Sequence, residues 1–111
     1  MSKYGNTRVA IGSEVFDSKH EMRRWIELQF LLRAGKISDL RRQVPFELIP
    51  AQKRDGKVVE RPVKYVADFV YMDADGETVV EDAKSPITRT KDYIIKRKLL
   101  LWEFGLQIRE V

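Results

Sequence analysis

A single α+β (α/β) domain is what this sequence predicts, on three observations. There are 111 residues, which leaves room for one core and no second. Two segments, residues 19–34 and 91–104, carry apolar side chains at helical spacing. Between them lie three extended runs separated by turn-forming residues. The composition, 43% hydrophobic and 34% charged, suits a folded globule rather than a disordered tail.

Taken in chain order, Thr7 to Ile11 and Glu14 to Phe16 read as a short hairpin around Gly12-Ser13. From Lys19 the period changes: Met22, Trp25, Ile26, Leu28, Leu31 and Leu32 recur as on a helix, with Ser18 as N-cap and Gly35 just past the end. The extended runs follow as Gln43 to Gln52, Val58 to Met72 and Glu77 to Lys84. Turns at Arg54-Asp55-Gly56 and Asp73-Ala74-Asp75-Gly76 make them an antiparallel meander, and Pro45, Pro50 and Pro62 restrict its pairing. Pro86 and Thr88 to Thr90 interrupt the chain before the helix Lys91 to Phe104; Gly105 stops it, and Leu106 to Val111 is a last strand. The aromatics Trp25, Phe46, Phe69, Trp102 and Phe104 are expected in the core.

Composition removes several chemistries. There is no cysteine, hence no disulfide, thiolate zinc site or cysteine nucleophile, and the single His20 leaves no material for histidine metal sites or a His-dependent triad. No phosphate loop or Gly-x-Gly-x-x-Gly turn occurs, so no nucleotide cofactor is expected. The segment from Asp73 lacks the glycine and bidentate glutamate positions of an EF-hand. No apolar run is long enough to span a membrane and the first residues lack the apolar stretch of a secretory signal, so a cytoplasmic location is expected. What remains is chemistry by carboxylates and lysines.

Charge is unevenly laid out along the chain. The formal net charge is +4. Residues 33–64 hold nine Lys/Arg against four Asp/Glu, residues 84–98 hold six against one, and residues 68–82 hold six acids with no base. An acidic centre between basic flanks fits either a polar hairpin between solvated faces or a cation site set in a phosphate-binding surface.

Charged residues that fall where the periodicity wants apolar ones narrow the choice, because burying a lone charge is costly. At 100° per residue Glu21 lies on the stripe of Trp25, Leu28 and Leu32; it is also the fourth residue of a Ser18-Lys19-His20-Glu21 capping box. Strand alternation sets Lys64, Val66, Asp68 and Val70 on one face and Tyr65, Ala67, Phe69 and Tyr71 on the other. In the next strand Val80, Asp82 and Lys84 share a face opposite Val79, Glu81 and Ala83. Adjacent strands can then bring Asp68 beside Asp82, where two like charges call for a cation or a shifted pKa; the other reading is an exposed face on which Lys84 neutralises Asp82. On the second helix Lys91 and Lys98 project near Ile94, Ile95 and Trp102, either snorkelling or reaching phosphate.

With Glu21, Asp68 and Asp82-Ala83-Lys84 in this order, the chain resembles the PD-(D/E)XK nuclease superfamily, whose restriction-endonuclease-like core runs helix, three-strand meander, helix, strand. More narrowly, Phe16-Asp17-Ser18-Lys19-His20-Glu21, Leu40-Arg41-Arg42-Gln43 and Lys64-Tyr65-Val66-Ala67-Asp68-Phe69 are similar to a small phage and prophage-associated family of nuclease-like proteins, over nearly the whole of residues 1–111. Two departures exist: Ala67 stands where a proline often precedes the first acid, and the second acid is Asp82 rather than Glu.

The resemblance implies that Glu21, Asp68, Asp82 and the carbonyl of Ala83 bind Mg²⁺, with Mn²⁺ as substitute, and that Lys84 orients the attacking water. Magnesium chemistry agrees, since the ion needs one or two carboxylates and lowers the pKa of bound water. Gln43 would support the pocket or pack in its strand, and Lys64, Lys91 and Lys98 would contact the DNA backbone. The expected function is a metal-dependent endonuclease acting on branched DNA such as Holliday junctions, as a homodimer in the bacterial host of a phage. The alternative is a DNA-binding module that kept the fold without catalysis.

Overall fold

The computed structural model describes residues 8–83 and 89–111, and its elements follow the expected order. A hairpin of β1 (Val9–Ile11) and β2 (Glu14–Phe16) leads into α1 (Lys19–Arg33). Strand β3 (Ser38–Ile49) follows, then the short β4 (Gln52–Arg54) and β5 (Lys57–Glu60), then β6 (Val63–Met72) and β7 (Thr78–Asp82). Helix α2 (Lys91–Phe104) and β8 (Ile108–Glu110) complete the α+β fold. Thr7, Lys84, Pro86 and Thr88, on which some expected boundaries fell, lie outside the described residues. No described helix is long and apolar enough to cross a membrane.

Local chemistry accounts for the element ends. The Ser18 hydroxyl accepts the Glu21 amide, which starts α1. At its other end the amides of Gly35 and Lys36 bond back to Leu32 and Leu31, a Schellman closure that requires the left-handed φ of +74° at Gly35. Thr90 caps α2 in the same way by accepting the Tyr93 amide. The acidic turn after β6 is organised by Asp73, whose Oδ1 accepts the amides of Asp75 and Glu77, both at 2.9 Å.

The main sheet has the order β3-β6-β7-β8, antiparallel except for the parallel β7–β8 pair. A helix covers each face. On the α1 side Leu28, Ile37, Phe69, Tyr71 and Val79 form one cluster, with Trp25 stacked on Phe69 at 6.0 Å. On the α2 side Leu48, Tyr65, Ala67, Val70, Val80, Tyr93, Leu100 and Ile108 form the other. Antiparallel hairpins are local, whereas β8 reaches its parallel place beside β7 only through α2.

Four sequence expectations need correction. The single run Val58 to Met72 is two strands, divided at Arg61-Pro62, because proline has no amide to continue the ladder and restricts the residue before it. Strand β3 starts at Ser38 rather than Gln43, through an irregular stretch that includes Asp39 at φ +52°. Trp102 and Phe104 are exposed, Trp102 to 83%, rather than in the core, and on α1 Leu31 packs on the sheet while Leu32 is exposed. Finally, the strict alternation along β6 fails: Ala67 and Val70 both face α2, whereas Phe69 and Tyr71 face α1. The partner strand does the same, with Leu40 on the α1 side and Val44 on the α2 side. The cause is Gln43, whose φ of +50° turns β3 between Arg42↔Phe69 and Val44↔Ala67.

Candidate metal centre

The face switch is also where the candidate site sits. Arg42↔Phe69 and Val44↔Ala67 leave Gln43 opposite Asp68 across the β3–β6 ladder. The Gln43 Nε2 donates to Asp68 Oδ1 at 3.2 Å and to Glu21 Oε1 at 3.2 Å. One amide therefore bridges the two carboxylates, holding an oxygen of each within twice that distance of the other. A left-handed glutamine costs about 1–2 kcal/mol relative to an ordinary strand residue, and here it sets this bridge.

Glu21 is delivered by the first turn of α1 and is only 3% exposed. The interior placement holds, whereas the capping box closes one residue early, on the Asp17 amide rather than on that of the N-cap Ser18. Its Oε2 accepts the Asp17 amide at 3.3 Å, one residue before the N-cap, while Oε1 faces the site. The same Oε1 receives Arg42 at 3.1 Å. Arg42 is itself shared: it also pairs with Glu14, donates to the Val15 carbonyl at 3.0 Å and lies over the Phe16 ring at 4.0 Å. Burial and the nearby Asp68 charge hold the Glu21 carboxyl above its ordinary pKa, against the hydrogen bonds from Arg42 and the Asp17 amide.

Asp68 lies in β6 and Asp82 ends β7, and the Phe69↔Glu81 register sets them one step further along as cross-strand neighbours. They are used differently. Asp68 Oδ2 accepts the Ala83 amide at 2.9 Å, so the main chain after β7 is drawn to the site. Asp82 is 2% exposed and faces the α2 side, where its Oδ2 accepts the Tyr65 hydroxyl at 2.7 Å. Burial, followed by the Asp82 charge and that hydrogen bond, pushes the Tyr65 hydroxyl pKa far up, so it stays a donor. Among the described residues no three acidic or histidine side chains gather on one point.

The remaining candidates lie elsewhere. Lys84 is outside the described residues. Lys64 borders a cavity of about 360 Å³ with Asp92 and Lys96, and Lys98 borders one of about 540 Å³ with Arg97 and Glu110. Neither cavity is lined by Glu21, Asp68 or Asp82. Lys91 is exposed at the start of α2.

Two features escaped the sequence. Arg42 stands within a quoted motif but nothing in its spacing revealed that it braces Glu14 and Glu21. Glu81 is wholly buried, held by Arg24 through two bonds of 2.8 and 2.7 Å and by the Tyr71 hydroxyl. Its signal in the sequence is an acid on the strand face of Val79.

The donor set fits a hard cation. Two carboxylates suit Mg²⁺, which takes one or two of them and completes its shell with water and substrate phosphate. Glu21 and Asp68 would hold such an ion, with the Ala83 segment alongside.

Fold and site together define an α+β domain with an amide-bridged carboxylate pair, one member buried and the other half-buried, at the edge of its central meander. The chain belongs to the family described as protein of unknown function (DUF1064), whose model matches residues 1–110. No curated protein and no solved structure matches it.

Proposed function

We propose that the protein is a Mg²⁺-dependent endonuclease of the PD-(D/E)XK kind, cutting branched DNA in the cytoplasm of a bacterial host, as a homodimer. The observation that carries the reading is the Glu21–Gln43–Asp68 bridge: two acids from a helix and a strand distant in sequence are brought to one amide, at a backbone position that costs energy to form. Glu21 and Asp68 would hold the metal, which supplies charge to the phosphoryl oxygen and an activated water. Gln43 orients both carboxylates. Asp82 stands level with Asp68 on the neighbouring strand and would join Glu21 and Asp68 only through its oxygen not bonded to Tyr65, and Lys84, two residues on, would steady the developing charge as a compact cation. Lys64, Lys91 and Lys98 would serve the DNA backbone.

A second reading, a DNA-binding module without catalysis, has one observation in its favour: Asp82 commits an oxygen to Tyr65 in a buried setting. Cleavage of end-labelled four-way junction, flap and linear duplex DNA in Mg²⁺, Mn²⁺ and chelator, with Asp68→Asn alongside, separates the two. Metal-dependent cutting that disappears in the variant is expected. DNA binding that survives chelation without any cutting would favour the second reading and end the first.

A further inference from the structure

Between β3 and β6 the chain leaves the main sheet. Strands β4 and β5 pair only with each other, Arg54↔Lys57 closing on a two-residue turn in which Asp55 and Gly56 both have positive φ, +52° and +75°. Every residue from 50 to 61 is exposed, so neither face of this ribbon packs on the domain. A bare two-stranded ribbon is marginal in water, and its composition is not that of a neutral spacer. It carries Lys53, Arg54, Lys57 and Arg61 against Asp55 and Glu60, with Val58 and Val59 about half exposed between them. Among the described residues none of the four cations forms an ion pair.

We propose that the β4–β5 ribbon is a DNA-binding arm that lies in a groove of the duplex and holds the flanking phosphates through Lys53, Arg54 and Lys57. The inference rests on the nuclease reading for its partner and deepens it by naming the element that grips the DNA. Charge complementarity selects that occupant, since a second copy of the chain would present the same excess of cations to its own arm. Width agrees: a major groove about 12 Å across admits a two-stranded β-ribbon. Reach agrees as well. From Asp68 to Val63 at the arm's base is five residues of strand, about 17 Å at ~3.3 Å per residue, or about five base pairs of duplex from the carboxylates. An arm there fixes the phosphate backbone in register while leaving sequence unread.

The test is DNA affinity by fluorescence anisotropy, in chelator, over a series of salt concentrations. The triple variant Lys53→Gln, Arg54→Gln, Lys57→Gln is compared with wild type and with Arg23→Gln, Arg33→Gln, Lys36→Gln, which removes the same charge from exposed positions on and after α1. The ribbon variant is expected to bind a four-way junction at least tenfold more weakly and to flatten the dependence of log K on log salt by about 0.9 per phosphate released, while the α1 variant stays within twofold. Circular dichroism should give both variants the wild-type melting temperature, since the turn and core are untouched. Unchanged affinity and slope in the ribbon variant would overturn the arm even if the protein cuts DNA. Equal loss in the α1 variant would overturn it too, leaving only net charge, and so would a change in molar mass by light scattering without a change in affinity, which would make the ribbon a clasp between copies. Ribbon-dependent binding by a protein that never cuts would leave the arm standing and end the nuclease reading.

Discussion

Two buried acids lie one helical turn and one strand apart in this molecule and are treated in opposite ways. Glu81, wholly buried, is answered in full: Arg24 grips both its oxygens, Tyr71 donates to one and Arg109 stands at 3.8 Å. The arrangement raises the Arg24 pKa further and pushes the Tyr71 hydroxyl up to about 12, first through burial and then through its bond to Glu81. Glu21, three residues before Arg24, is set instead beside Asp68, shares Arg42 with Glu14, and has a raised pKa. The first acid has a donor on each oxygen and a guanidinium in two-point contact. The second is held at a cost to its charged form, which is the condition a cation relieves.

Breaking the compensated acid gives the largest effect. Arg24→Ala leaves Glu81 buried without its bidentate partner and should cost about 3–5 kcal/mol in urea unfolding. A loss under about 1 kcal/mol would mean that Glu81 is answered by its remaining neighbours. Next is Asp82, which resembles Glu81 in burial. Tyr65→Phe removes one of its partners and should cost about 1–3 kcal/mol, measured the same way; no loss would show that Asp82 does not depend on that hydroxyl.

The smallest effect belongs to Glu21 and is read as a pH trend. Because its folded pKa lies above the ordinary carboxylate value, the protonated form favours the folded state. That contribution is fully present below the unfolded pKa and is lost as pH rises through the folded one. In chelator, the melting temperature of Glu21→Gln should therefore gain on wild type between pH 4 and pH 8. A gap that moves the other way would make Arg42 and the cap, rather than burial and Asp68, the dominant surroundings of Glu21.

Much of this was legible in the sequence because the signals are local. Helical spacing gave both helices, with α2 matching Lys91–Phe104 at both ends. Turn residues separated the strands, and counting alternate positions brought Asp68 level with Asp82. What was lost is what depends on one backbone angle or on distant partners. No residue pattern announces that Gln43 takes a left-handed φ, yet this turns both strands and unites Glu21 with Asp68. Pro62 marked the edge of a strand without telling that the preceding run would peel off as a separate ribbon. Trp102, apolar and at helical spacing, still points to solvent because Tyr93 and Leu100 fill the sheet side of α2.

The central claim is that Glu21 and Asp68 are paired in order to take a divalent cation. Isothermal titration of Mg²⁺, and of Mn²⁺ in parallel, into the wild-type protein and into Asp68→Asn and Arg24→Lys tests it without requiring a substrate. Saturable binding in wild type and Arg24→Lys that vanishes in Asp68→Asn is the predicted result. Heats that are the same in wild type and Asp68→Asn, whether both bind or neither does, would contradict it.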